Sequence, residues 1–149
     1  MDSEQEMQSK LIELEMLKQQ IGQLDKQGME INAKIMDVNA AVQTLGDLEK
    51  HNGNADALVP IGSGMFLKAA LQDPKNVVVN VGADVAVMKP TSSAKAIMTD
   101  IKEKYEKMLM EIENEMIGFQ TNAQRLYSQL EQAQSSRTLN EDNSKDKDK

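Results

Sequence analysis

The chain has 149 residues, a formal net charge of -7, only 3% aromatic residues, no Trp and no Cys. So few aromatic rings stock a compact core poorly, and Leu, Ile, Val, Met and Ala among abundant Glu, Lys and Gln point instead to extended helices. A basic stripe is missing, which argues against nucleic acid as a partner; the lack of Cys excludes disulfides and thiolate metal sites and fits a reducing compartment.

The first element is a helix over residues 3–50. The acidic, amphipathic start "MDSEQEMQSKLIELEM" lacks the basic and apolar regions of a signal peptide. No window reaches the ~18 apolar residues of a membrane span, so the expected setting is cytoplasmic, with no membrane partner. Ser3 and Glu6 have the spacing of a capping box. Beyond them Leu14, Ile21, Gly28, Ile35 and Val42 fall at one heptad position, and Leu17, Leu24, Ile31, Val38 and Leu45 three residues later. Five heptads with one lapse, at Gly28, specify a left-handed coiled coil. "HNGN" ends the helix, with Gly53 suited to a left-handed cap.

The next stretch, residues 57–89, differs in kind and contains Pro60 and Pro74. "LVPI", "MFLKAAL", "VVVNV" and "VAVMK" read as four short strands separated by "GSG", "QDPKN" and "GAD" turns, that is, two β-hairpins. Apolar residues lie on both faces, and isolated hairpins are marginal in water. One chain cannot cover them, so the insert is expected to be an oligomerisation platform.

After Pro90 a second helix covers residues 91–134, starting near Thr91 or Ser92. Its apolar positions are Met98, Ile101, Tyr105, Met108, Ile112, Met116, Phe119, Ala123, Leu126, Leu130 and Ala133, with a doubled four-residue step across Met108, Ile112 and Met116. The two helices, nearly equal in length, are expected to fold back as an antiparallel coiled-coil hairpin. The fold class is therefore α+β, a single domain over residues 1–137 with a disordered charged tail over 138–149. Where the coil frays at its free end, Met7, Leu11, Leu126 and Leu130 are expected to stand exposed between the helices.

Catalysis finds little support. His51 is the only histidine and lies in a helix-ending loop. "IGSG" and "VGAD" lead into strands rather than helices, which is not the context of a phosphate cradle. "EDNSKDKD" lacks the glycine and the final glutamate of a calcium loop. The reading is a non-enzyme with no cofactor and no metal.

"LVPIGSGMFLKAAL" followed by "VVVNVGADVAVMKP", set between two coiled-coil helices, resembles the α-class subunits of the prefoldin family, and "GMFLKA" looks closer to archaeal members. The resemblance covers residues 5–134 and implies an ATP-independent chaperone. Two α-class chains and four β-class subunits would form a hexamer, with self-association of the α-class chain. Unfolded client proteins would be held at the coiled-coil tips and passed to a group II chaperonin. Carried over by position, the platform strands are Val59–Ile61, Met65–Leu71, Val77–Val81 and Val85–Met88. Their apolar contacts would come from Val59, Ile61, Met65, Phe66, Leu67, Val77, Val78, Val79, Val81, Val85 and Val87. The client-holding residues would be Met7, Leu11 and Leu14 facing Leu126 and Leu130. The alternative is a structural scaffold that oligomerises through the hairpins and holds no client.

Overall fold

A computed structural model describes residues 3–51 and 54–145 of the chain. The elements run α1 (Ser3–Lys50), β1 (Ala55–Gly62), β2 (Met65–Leu71), β3 (Asn76–Gly82), β4 (Val85–Pro90) and α2 (Thr91–Lys145). Two long helices with two antiparallel hairpins between them is the arrangement the sequence specifies. The chain divides into two compact units: a helical one of residues 1–31 and 108–149, and one of residues 32–107 that holds both hairpins. The Ser3 side chain of the expected capping box and Gly53 of the expected cap lie outside the described residues.

In the helical unit the heptads decide what is buried. Leu14, Leu17, Leu24 and Ile31 are buried and Ile21 and Gly28 half-buried, while every other α1 residue from 11 to 30 is exposed. Leu14, Leu17, Ala123, Leu126 and Leu130 form one buried cluster, with Met7, Ile21 and Phe119 packed against it. Gly28 stands beside Leu109 and Ile112, so α2 numbers fall as α1 numbers rise and the helices run antiparallel. Lys18 places its ammonium 5.4 Å from the centroid of the Tyr127 ring.

The α2 seam differs from the expectation at one step. Leu109 is half-buried, whereas Met108 is 45% exposed and Ala133 is exposed as well. The doubled four-residue step therefore falls across Ile101, Tyr105 and Leu109. Met and Leu are adjacent and both apolar, so spacing alone does not choose between them; the missing side chain of Gly28 does. Leu109 Cδ1 and Ile112 Cγ2 each lie 3.8 Å from where a β-carbon on Gly28 would stand.

Helix α2 also continues to Lys145, past the end at Gln134 and into the tail where disorder is expected from residue 138. No Gly or Pro interrupts "SSRTLNEDNSK", and Ser135, Ser136 and Thr138 donate hydroxyl bonds to the carbonyls of Glu131, Gln132 and Gln134 at 2.9–3.2 Å. Residues 146–149 lie outside the described residues.

In the hairpin unit β1 pairs with β2 and β3 with β4, giving two separate two-stranded sheets. Both hairpins are built alike. Each register slips by one residue just before its loop, between Pro60 and Gly62 and between Asn80 and Gly82, leaving Ile61 and Val81 as extra residues. Gly62 and Gly82 follow with φ of 112° and 100°, which glycine alone adopts without strain. Then come two left-handed residues, Ser63 and Gly64 in one loop and Ala83 and Asp84 in the other, the two-residue turn whose twist matches its strands. Asn80 Oδ1 accepts the Gly82 N–H at 2.9 Å. Strand β1 begins at Ala55, earlier than read from sequence, because "ADA" pairs with "AAL" of β2.

The turn between the hairpins is tied to α2. Asp73 accepts bonds from the Lys75 backbone N–H at 3.1 Å and the Asn76 amide at 2.9 Å. Thr91, the first residue of α2, donates its hydroxyl to the Pro74 carbonyl at 2.9 Å and its N–H to the Lys75 carbonyl at 2.8 Å. Thr91 and Ala94 are 3% and 1% exposed. Nearby, Lys95 and Glu49 pair at 3.2 Å across the helices, and Lys34 lies 5.7 Å from the centroid of the Tyr105 ring.

Candidate functional site

One exposed apolar surface lies on the hairpins. In the first, Ala55, Ala57 and Val59 share a face with Leu71, Ala69 and Leu67, six apolar residues in register. The outer part of that face is bare: Val59 is 45% and Leu67 56% exposed. The reverse face mixes Asp56 and Lys68 with Leu58, Pro60, Ala70 and Phe66. In the second hairpin Val78 pairs with Met88, and both are about two-thirds exposed. Ile61, Met65, Phe66, Val81, Val85 and Val87 are exposed too. Leu58 and Met88, in the expected strands but not among the expected contact residues, belong with them; the strand alternation that exposes Val78 carries over to Met88 through the register.

One expected assembly residue stands apart. Val79 is buried within its own unit, and Val77 is half-buried. Val77 to Asn80 line a groove of ≈ 480 Å³ together with Leu45, Leu48, Ala94 and Met98. Val79 faces the helices, so this chain already covers it and it is not part of the free surface.

The second surface lies on the helical unit. Met7, Leu11, Leu14, Tyr127 and Leu130, with Glu131 and Gln134, line a groove of ≈ 430 Å³. Four of the five residues expected to hold clients line it, and the fifth, Leu126, is buried in the cluster with Leu14 and Leu130; they are not equally available. Leu11 is 50% exposed and Met7 half-buried. Leu14, Leu126 and Leu130 are 4%, 3% and 7% exposed. The expected exposure of Leu126 and Leu130 by fraying is therefore corrected. Both occupy seam positions, and the helices extend beyond them in both directions along the chain, so the seam closes over them. Ile12, Met16 and Tyr127 are exposed as well. Their signal was present as apolar residues outside the two seam positions of the heptad.

Among the described residues no group of three His, Cys, Asp or Glu is placed to hold a metal ion. The His51 Nδ1 lies 3.0 Å from the Asp47 carbonyl at the end of α1. Among the described residues no helix is long and apolar enough to cross a membrane.

A family model described as prefoldin subunit matches residues 17–136. The chain belongs to the prefoldin family. Within that family it is similar to alpha subunits: that of Methanobrevibacter smithii is 33% identical over 125 residues, spanning 79% of this chain and 84% of the relative. That of Methanoculleus marisnigri is 30% identical over 121 residues, spanning 81% and 76%. A chain in a cryo-EM structure of filamentous prefoldin from Methanocaldococcus jannaschii shares the fold at a TM-score of 0.67 and 20% identity, covering 78% of this chain and 97% of that one. The prefoldin beta subunit from Thermococcus strain KS-1 shares it at 0.58 and 17%, covering 86% and 91%. The two hairpins and the coil are thus those of a chaperone-type prefoldin subunit of the archaeal alpha type.

Proposed function

We propose that this chain is the α-class subunit of a cytoplasmic, ATP-independent holdase. In this reading two copies join four β-class prefoldin subunits through the hairpins. The complex then holds non-native proteins at the ends of its coiled coils and passes them to a group II chaperonin. The observation that carries it is the bare, in-register apolar face of Val59 and Leu67 beside the exposed Val78–Met88 pair. Surfaces of this kind invite strand pairing and burial by other chains. Holding unfolded chains needs an adaptable apolar surface rather than a shaped one; Leu11 and Tyr127 supply it at the groove. Several weak sites in one complex add up through effective concentration.

The test is suppression of aggregation of a denatured protein, without nucleotide, by the chain mixed with a β-class prefoldin subunit. The complex should suppress aggregation, release its client to a group II chaperonin, and lose both abilities when residues 1–10 and 131–149 are removed while the assembly persists. Full activity after that truncation would contradict the placement of the client site. The burial of Leu14, Leu126 and Leu130 favours a second reading, a scaffold that assembles through the hairpins and holds nothing. An assembled complex that never suppresses aggregation would establish it.

A further inference from the structure

The exposed apolar residues of the helical unit do not ring the coil evenly. Counting heptads with Leu14 at position a in α1 and Leu109 at a in α2, the two helices of an antiparallel pair share one side through positions e and b and the other through g and c. Two contacts fix this side in the structure. Lys18 lies over the Tyr127 ring at 5.4 Å, both at position e. Leu11, Tyr127 and Gln134 at e and Glu131 at b line one groove. The same side carries Met29, Met110 and Ile117, all at b and 60–66% exposed. Five large exposed apolar residues therefore share one side, against Met16, Met108 and Leu139 on the other.

The charges on that side say what it accepts. Among the residues whose side chains are described, its ionisable groups are Glu4, Glu15, Asp25, Glu113 and Glu131 with one cation, Lys18, which is turned onto Tyr127. An apolar strip bordered by carboxylates attracts cationic segments and repels acidic ones. Two of its five apolar residues are methionines, whose unbranched chains repack against varied partners.

Resting on the holdase reading, we propose that the helical unit takes clients on one side only, along a strip from Leu11 and Tyr127 to Met29, Met110 and Ile117. Its occupants are apolar segments of unfolded chains that carry Lys or Arg among their polar positions. The strip extends the capture surface beyond the groove and gives it a charge preference.

The test uses the full chain assembled with its β-class partner. A photo-cross-linking residue replaces Met29, Met110 or Ile117 on one side, or Met16 or Met108 on the other, before challenge with a denatured protein. Cross-linking should be confined mainly to the first set; equal yields on both sides would overturn the proposal. M29Q/M110Q/I117Q should weaken aggregation suppression several-fold with the complex mass and melting temperature unchanged, and M16Q/M108Q should not. A fluorescent Leu/Lys peptide should bind roughly tenfold more tightly than its Leu/Glu counterpart at low salt, and equal binding would remove the charge preference. If the unsubstituted complex holds no denatured protein at all, the holdase reading itself fails, which is distinct from holding without sidedness.

Discussion

The helices and the hairpins use the same kinds of residue in opposite ways. In the helical unit Leu14, Leu17, Ala123, Leu126 and Leu130 are buried against one another within the chain. In the hairpins Val59, Leu67, Val78 and Met88 are equally apolar and lie bare. The difference is geometric. A two-helix coil needs one apolar stripe per helix, and the partner helix covers it. A two-stranded ribbon has two faces and two unpaired edges, which its own strands cannot cover. The coil is thus finished within one chain, whereas the outer faces of the hairpins are left uncovered by it.

Substitutions test this contrast from both sides. The largest effect belongs to the finished seam. Leu126→Ala should cost about 2–5 kcal/mol through lost burial and the cavity left behind, read as a shift in the denaturation midpoint of the isolated chain. Thr91→Val comes next. It removes the hydroxyl that serves the Pro74 carbonyl in a buried setting and should cost about 1–3 kcal/mol, with amide exchange rising in the turn between the hairpins. Gly28→Ala has the opposite sign. The nearest side-chain atoms stand 3.8 Å from the new carbon, and the gain in helix propensity should stabilise the chain by about 1 kcal/mol. On the unfinished side, Val78→Gln with Met88→Gln should leave the isolated chain within about 0.5 kcal/mol of the parent yet lower the yield of complex with a β-class subunit in native mass spectrometry. The smallest effect is electrostatic. The Asn76 amide and then the Lys75 N–H hold the Asp73 carboxyl below the usual carboxylate range. Its stabilisation is therefore present above the unfolded-state pKa and lost as pH falls through the folded one. In an NMR titration Asp73 should be displaced to the acid side of its ordinary range.

The heptads made α1 legible to a single residue. Every position from Leu14 to Leu45 assigned to its seam is buried or half-buried, because a seven-residue repeat leaves no second register. The α2 seam was ambiguous at Met108 and Leu109, where two apolar residues adjoin and only the space beside Gly28 selects one. The hairpins were legible as strands and turns. Their one-residue slips at Ile61 and Val81 were not, since a bulge depends on pairing rather than on composition. The candidate client surface was hardest to read. Apolar character marked Leu126 and Leu130, but burial depends on how far the opposite helix continues, and it is Leu11, Tyr127 and the residues beside the seam that remain exposed. Val79 shows the same limit in the hairpins, where tertiary cover from the helices removes one valine of an otherwise free set.

Hydrogen exchange of the backbone amides, measured on the chain alone and after mixing with a β-class prefoldin subunit, tests the central contrast most directly. The seam amides around Leu14 and Leu126 should exchange slowly in both samples, while those of β1–β4 should exchange fast alone and become protected on mixing. Hairpin amides already protected in the isolated monomer, or still fast within the complex, would contradict it.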